Sequence, residues 1–145
     1  MMESSLYLTQ DVFERLLAHA VRDYPTECCG ILVGCAHGPH IHADRAIAAT
    51  NISTADQRSS YQIDWHTLFA TVRALRAPQA REAIVGFYHS HPDGSAQPSQ
   101  RDLDAAWYGY SYVIVSMLDG WCSSITSWHL KAGGDGFQRQ PVLLP

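Results

Sequence analysis

The chain has 145 residues, of which 46% are hydrophobic and 17% charged, and its net charge is −4. This length fits one folded domain with a substantial core, so we expect a single domain over residues 1–145. The charge provides no basic surface for nucleic acid, and no apolar run approaches the roughly 20 residues that span a bilayer. Because no secretory signal is visible, we expect a cytoplasmic protein without nucleic-acid or membrane partners.

Strands and helices alternate along the first half of the chain. The expected elements are, in order, a strand at 6–8, a helix capped by Thr9 that ends before Pro25, strands at 28–34 and 40–49, a surface loop at 51–60, and a helix capped by Asp64 that ends before Pro78. The apolar residues of the second helix recur on one face, at Trp65, Leu68, Phe69, Val72 and Leu75. Cys28 and Cys29 are adjacent and lie outside any C-x-x-C pair, so we interpret them as reduced residues buried in a strand.

The second half continues the alternation. It predicts a strand at 83–91, a helix from Ser99, a buried strand at 112–117, and a hairpin of 121–131 with 137–144 joined through the turn GGDG. Together these elements predict a single α/β domain with a mixed β-sheet flanked by helices and a C-terminal β-hairpin.

The most informative segment begins at His89 and reads HSHPDGSAQPSQRD. Alternate residues of a strand point the same way, so we expect His89 and His91 to share one face. The same alternation puts Val85 and Phe87 on that face. Asp102, in the first turn of the next helix, is a third candidate ligand. Two imidazoles and a carboxylate suit a zinc ion that keeps one position for a water nucleophile, so the segment predicts a metal-dependent hydrolase.

Two simpler interpretations compete with metal binding. Ser99-x-x-Asp102 also has the spacing of a capping box, which needs no metal, although a cap does not explain the histidines. His40-x-His42-x-Asp44 is another run rich in ligand types on one strand face. A polar solvated face explains that alternation, and no further ligand follows at a recognisable distance, so we predict no metal there.

The full pattern H-x-H-x(7)-S-x(2)-D resembles that of the JAMM (MPN-plus) zinc metalloproteases, and PTECCGILVG resembles the segment with the family's catalytic glutamate, here Glu27. The segments YQIDWHTL and GYSYVIVSM are similar to prokaryotic members. The resemblance implies a fold akin to cytidine deaminases and zinc bound by His89, His91 and Asp102. It also implies that Glu27 accepts the proton of the attacking water and passes it to the departing amine, while Ser99 donates a hydrogen bond to the oxyanion.

The resemblance further implies a substrate class. The family cleaves amide or isopeptide bonds after the C-terminal Gly-Gly of ubiquitin-like proteins, and this chain looks like the compact bacterial type, some of which process sulfur-carrier proteins. A Gly-Gly tail suits a narrow channel because glycine lets a backbone approach closely. The loops at 51–60 and 92–98 are candidates for gripping that tail.

Three alternatives stay open at the level of sequence. They are a non-catalytic scaffold with the same fold, another zinc hydrolase such as a deaminase, and a metal-free binding module. The deaminase signature of H-x-E with P-C-x-x-C is absent from the chain.

Overall fold

A computed structural model describes residues 3–145, so the first two positions of the predicted 1–145 domain lie outside the described residues. Within residues 3–145 the chain forms three helices and one mixed sheet of eight strands. The elements are β1 Ser5–Leu8, α1 Gln10–Asp23, β2 Cys29–His37, β3 His40–Ala49, α2 Trp65–Leu75, β4 Ala83–Pro92, α3 Gln100–Ala105, β5 Ser111–Leu118, β6 Trp121–Leu130, β7 Phe137–Gln140 and β8 Val142–Leu143.

The strand order in the sheet is β7-β6-β5-β4-β2-β3-β1-β8. β1 runs parallel to β3 and β8, and β4 runs parallel to β5, whereas the other neighbours are antiparallel. The predicted α/β class with a mixed sheet is therefore confirmed. Each helix of residues 3–145 is too short or too polar to cross a bilayer.

Helices cover both faces of the sheet. α1, whose N-cap is Thr9, buries Val12 and Leu16 against one face. On the other face, Leu68 and Leu75 of α2 pack against a second apolar cluster. Full burial of one such side chain contributes about 1.5–3 kcal/mol to the free energy of folding, so these contacts stabilise the packing of both helices on the sheet.

The apolar face of α2 is buried only in part. Trp65 and Phe69 are 54% and 61% exposed and stack on each other with ring centroids 6.0 Å apart. Only the side of the helix that carries Leu68 and Leu75 meets the core. Helical periodicity predicts that the helix forms, but the neighbouring strands determine how much of its apolar face is buried.

β4 departs from simple alternation at one point. Its register with β2 shifts between Leu32 and Val33, which leaves Val85 as the extra residue of a bulge. Val85 therefore packs on the α1 side of the sheet, whereas Phe87 packs on the α2 side. The prediction that these two residues share a face is wrong, while the strand pairs regularly from Phe87 onwards.

The second arm of the C-terminal hairpin is shorter than predicted. β6 and β7 pair as expected, with Leu130 opposite Phe137. Pro141 then ends the arm because proline has no backbone N–H, and β8 pairs with β1 instead. The Pro141 carbonyl accepts a hydrogen bond of 2.9 Å from the Leu6 N–H. Since β7 and β8 are opposite edges of the sheet and only Pro141 separates them, the two edges meet at this corner.

Candidate metal centre

The end of β4 and the start of α3 bring the three predicted metal ligands together. His89 Nε2 and His91 Nε2 lie 3.0 Å apart. Asp102 Oδ1 is 3.2 Å from His89 Nε2, and Asp102 Oδ2 is 3.2 Å from His91 Nε2. A tetrahedral ion with bonds of about 2.0–2.1 Å holds its ligand atoms about 3.3 Å apart, so the three groups are spaced like one face of such a tetrahedron.

The surroundings of the two rings also fit a cation. The side chains of His89, His91 and Asp102 are only 1%, 11% and 8% exposed. His91 Nδ1 lies 2.7 Å from the Ser95 carbonyl, which can only accept a hydrogen bond. In the neutral ring the proton is therefore on Nδ1, and Nε2 presents a lone pair to the cluster. The lone pair of His91 and the carboxylate of Asp102 converge with His89 Nε2 in a buried space, and a metal ion between the three groups would stabilise that arrangement.

Asp102 is at the same time part of a capping box. The Asp102 N–H donates to Ser99 Oγ at 3.1 Å, and the Ser99 N–H donates to Asp102 Oδ2 at 2.8 Å. The two interpretations of this spacing are thus compatible, because the box orients the carboxylate towards the histidines. Burial opposes ionisation of Asp102. When His89 and His91 carry a proton on Nε2, the hydrogen bonds that Asp102 accepts from them outweigh that effect and hold the Asp102 pKa well below its usual range. Ser99 Oγ acts as an acceptor in the box, so its own proton remains available for donation.

Glu27, the predicted general base, lies beside the two histidines. It lies two residues before the start of β2, and one ligand atom from each of Glu27, His89 and His91 falls within 4.8 Å of the others. Glu27 is 5% exposed, and burial raises its pKa to about 8, with the nearby imidazole of His91 opposing the shift. A carboxyl group that takes up a proton near neutral pH is suited to accept a proton and return it.

The loop at 51–60 holds the backbone of Glu27. The Glu27 N–H donates to the Gln57 carbonyl at 2.7 Å, and Asn51 Nδ2 donates to the Glu27 carbonyl at 3.1 Å. The Asn51 side chain makes four hydrogen bonds, and the other three link it to residues 53, 60 and 62. The surface loop was predicted from its composition, but its role as the anchor of Glu27 was not.

Side chains of β5 and β6 hold the loop that follows His91. Ser116 Oγ donates to the Gly94 carbonyl at 2.5 Å, and Thr126 Oγ1 donates to the Ala96 carbonyl at 2.7 Å. The carbonyl of Ser95, which lies between them, is the one that orients His91. The loop is therefore fixed on both sides of that carbonyl.

Tyr61 is a site residue that the sequence did not reveal. Its ring stacks on that of His89 with centroids 4.4 Å apart and an interplanar angle of 21°. Tyr61 opens the segment YQIDWHTL, which resembles prokaryotic members of the family, but no spacing rule connects it to His89. Beside it lies a groove of about 330 Å³ that is lined by Tyr61 and by aromatic residues including Trp65 and Trp107.

Fold and site together define a class: an α/β protein whose buried His-His-Asp cluster, with a neighbouring carboxyl group, has the arrangement of a metal-dependent hydrolase. The family described as prokaryotic homologs of the JAB domain matches residues 9–131. The chain therefore belongs to the prokaryotic JAB (JAMM) family, and the resemblance drawn from its motifs is confirmed.

Individual relatives agree with this assignment. The chain is 34% identical over 121 residues to the "Desampylase" of Haloferax volcanii, covering 80% of this chain and 84% of that protein. It is 31% identical over 129 residues to the "CysO-cysteine peptidase" of Mycobacterium tuberculosis, covering 88% and 84%. It is 30% identical over 109 residues to the "Probable TtuB-protein conjugate cleaving protease" of Thermus thermophilus, covering 75% and 68%.

Solved structures share the fold. A protein of Desulfitobacterium hafniense, known from its solution structure, superposes with a TM-score of 0.81 at 27% identity, covering 97% of this chain and 92% of that one. A protein of Salinibacter ruber superposes with a TM-score of 0.69 at 31% identity, covering 99% and 92%.

Proposed function

We propose that this protein is a zinc-dependent peptidase that hydrolyses the amide or isopeptide bond after the C-terminal Gly-Gly of a ubiquitin-like or sulfur-carrier protein. The observation that carries the proposal is the convergence of His89, His91 and Asp102 at 3.0–3.2 Å beside the buried Glu27. Relatives whose names describe a desampylase, a CysO-cysteine peptidase and a conjugate-cleaving protease support this class of substrate.

The residues of the site divide the chemistry among them. His89, His91 and Asp102 would hold the zinc ion, which when bound lowers the pKa of a water to about 7 and polarises a carbonyl group. Glu27 accepts the proton of the attacking water and delivers it to the nitrogen of the departing amine, so each turnover restores its charge. The Ser99 hydroxyl donates a hydrogen bond to the carbonyl oxygen of the cleaved bond as negative charge develops on that oxygen. One such donor contributes about 10²–10³ in kcat.

The substrate tail is expected to lie between the two loops that adjoin the site. The loop at 51–60 is bonded to Glu27, and the loop at 92–98 carries the carbonyl that orients His91. A tail that passes between them must bring its backbone close to buried groups. Glycine has no Cβ and allows that approach, so Gly-Gly fits the position before the cleaved bond.

A fusion substrate tests the proposal. We expect the zinc-loaded protein to cleave a ubiquitin-like or sulfur-carrier protein followed by a short extension, and mass spectrometry should place the cut after the second glycine. Glu27→Gln should retain the zinc of the wild type and lose turnover, whereas Glu14→Gln, at an exposed position of α1, should behave as the wild type. Unchanged turnover in Glu27→Gln would contradict the mechanism.

The same experiment separates a peptidase from a non-catalytic scaffold. A scaffold predicts that the zinc-loaded protein binds Gly-Gly proteins but leaves every such fusion intact.

A substrate whose Gly-Gly is replaced by Ala-Ala should remain uncut. Equal cleavage of the two substrates would contradict the proposed role of the glycines.

A further inference from the structure

We propose a second metal site on the hairpin of β2 and β3, formed by Cys35, His37 and His42 with His40 beside them. Its ligands are a thiolate and imidazoles, which favour ions such as Zn²⁺, Co²⁺ and copper over Mg²⁺ and Ca²⁺. The site is independent of the proposed peptidase activity.

The hairpin places all four side chains on one face of the sheet. β2 and β3 are joined by a two-residue turn whose first residue, Gly38, has φ +60°, a conformation that glycine adopts readily. His37 is directly opposite His40, and Cys35 is directly opposite His42. Residues that face each other across an antiparallel pair point to the same side, with Cβ atoms about 4.5–5.5 Å apart. The turn therefore places two potential ligands of β2 opposite two potential ligands of β3 on the same face of the sheet.

One pair already has the spacing of metal ligands. Cys35 Sγ lies 3.4 Å from His37 Nε2. A tetrahedral ion with a bond of about 2.3 Å to sulfur and about 2.0–2.1 Å to nitrogen holds these atoms about 3.5 Å apart. The His42 ring lies edge-on to that of His37, with centroids 5.5 Å apart and an interplanar angle of 77°. Of these three residues only Cys35 and His37 lie at ligand spacing. The proposed three-ligand set requires the thiol of Cys35 and the exposed side chain of His37 to turn towards the half-buried His42.

Neighbouring groups limit how far these residues can separate. Tyr7 of β1 stacks on His42 with ring centroids 4.9 Å apart and an interplanar angle of 10°. A side chain at Gly34 would collide with the His42 carbonyl, so the glycine allows the two backbones to approach closely just before Cys35. The turn is also tied to β1, because the Ser5 N–H donates to the carbonyl of residue 39 at 3.0 Å.

The site was not predicted because its ligands lie on both arms of the hairpin. No further ligand follows Asp44 at a recognisable distance, whereas Cys35 and His37 lie upstream and become neighbours of His42 only through strand pairing. The site is also remote from the candidate peptidase centre. Cys29 is opposite His89, and the six residues from Cys29 to Cys35 span about 20 Å of strand.

Cobalt titration of the metal-free protein tests the proposal. The ligands proposed for the peptidase centre are nitrogen and oxygen atoms, so a thiolate-to-cobalt charge-transfer band in the near ultraviolet that depends on Cys35 reports the hairpin site. We expect this band in the wild type and in Cys122→Ser, a control at the other half-buried cysteine. The band should be lost in Cys35→Ser, with peptidase activity unchanged. His42→Asn should weaken cobalt binding at least about tenfold, the loss typical of removing even a hydrogen-bond partner of a metal ligand.

Alkylation provides a second readout in the unaltered protein. We expect Zn²⁺ to slow the reaction of iodoacetamide with Cys35 and to leave Cys122 unaffected, as measured by peptide mass spectrometry. Absence of the near-ultraviolet band at excess cobalt, its persistence in Cys35→Ser, or equal alkylation of Cys35 with and without zinc would each overturn the proposal.

Discussion

Asp102 combines a capping role with a candidate ligand role, and two substitutions separate them. Ser99→Ala removes the acceptor of the Asp102 N–H but leaves the Asp102 carboxylate and its bond from the Ser99 N–H. Loss of such a cap costs about 1 kcal/mol. Asp102→Asn keeps an oxygen that can accept from the Ser99 N–H, but it removes the negative charge beside His89 and His91.

The expected thermal shifts follow from these roles. At a zinc concentration of 100 Kd, binding adds about 2.7 kcal/mol to the free energy of unfolding. For a chain of this length 1 kcal/mol corresponds to about 4 °C in Tm, so zinc should raise Tm by roughly 10 °C. Ser99→Ala should lower Tm in EDTA by about 4 °C and keep the zinc increment. If Asp102→Asn weakens Kd about a hundredfold, the increment at the same zinc concentration falls to about 0.4 kcal/mol, or roughly 2 °C.

The assay is thermal unfolding in EDTA and in excess zinc, in a Cys35→Ser background so that the hairpin does not contribute. Turnover is measured in parallel. Ser99→Ala should lower kcat by about 10²–10³ although it still binds zinc, because it lacks the oxyanion donor. The reasoning is refuted if Asp102→Asn retains the full zinc increment, or if Ser99→Ala loses as much of it as Asp102→Asn.

Three further predictions concern residues around the site and in the core. Asn51→Ala removes four hydrogen bonds at about 1 kcal/mol each, so urea denaturation should show that the free energy of unfolding falls by about 2–4 kcal/mol. Turnover should also fall because Glu27 loses the side chain that anchors its backbone, and unaltered turnover would contradict this. Thr126→Val removes the hydroxyl that donates to the Ala96 carbonyl in the loop that orients His91. Chelator competition should therefore show that the zinc Kd rises by up to about tenfold, and an unchanged Kd would refute the link between this loop and zinc binding. Burial lowers the pKa of His19 below 6.5 despite the nearby carboxylate, so its contribution to stability is present above pH 6.5 and is lost as the pH falls through the folded-state pKa. Urea unfolding in EDTA should therefore show a larger loss between pH 7 and pH 5 in the wild type than in His19→Gln, and parallel losses would contradict this.

Features that depend on local chemistry were predictable from the sequence. Thr9, Asp64 and Ser99 each cap the helix expected of them, because a capping side chain reaches only two or three residues along the chain. The strand that carries His89 and His91 was recognised by its apolar run, and strand alternation sufficed to place both rings on one face.

Features that depend on register between distant strands were not predictable. The bulge at Val85 moves one side chain to the other face, and the pairing of β8 with β1 follows only once the sheet has brought its edges together. The anchoring of Glu27 by Asn51 and the pairing of Cys35 with His42 likewise join residues that no local pattern connects.

The most direct test of the account is the zinc content of the wild type and of His91→Ala, measured side by side by elemental analysis after incubation with zinc at neutral pH. His91 contributes to the peptidase centre and not to the hairpin. The wild type should therefore carry about one zinc per chain more than the variant. Equal zinc in two folded proteins would contradict the metal centre and the peptidase mechanism that depends on it.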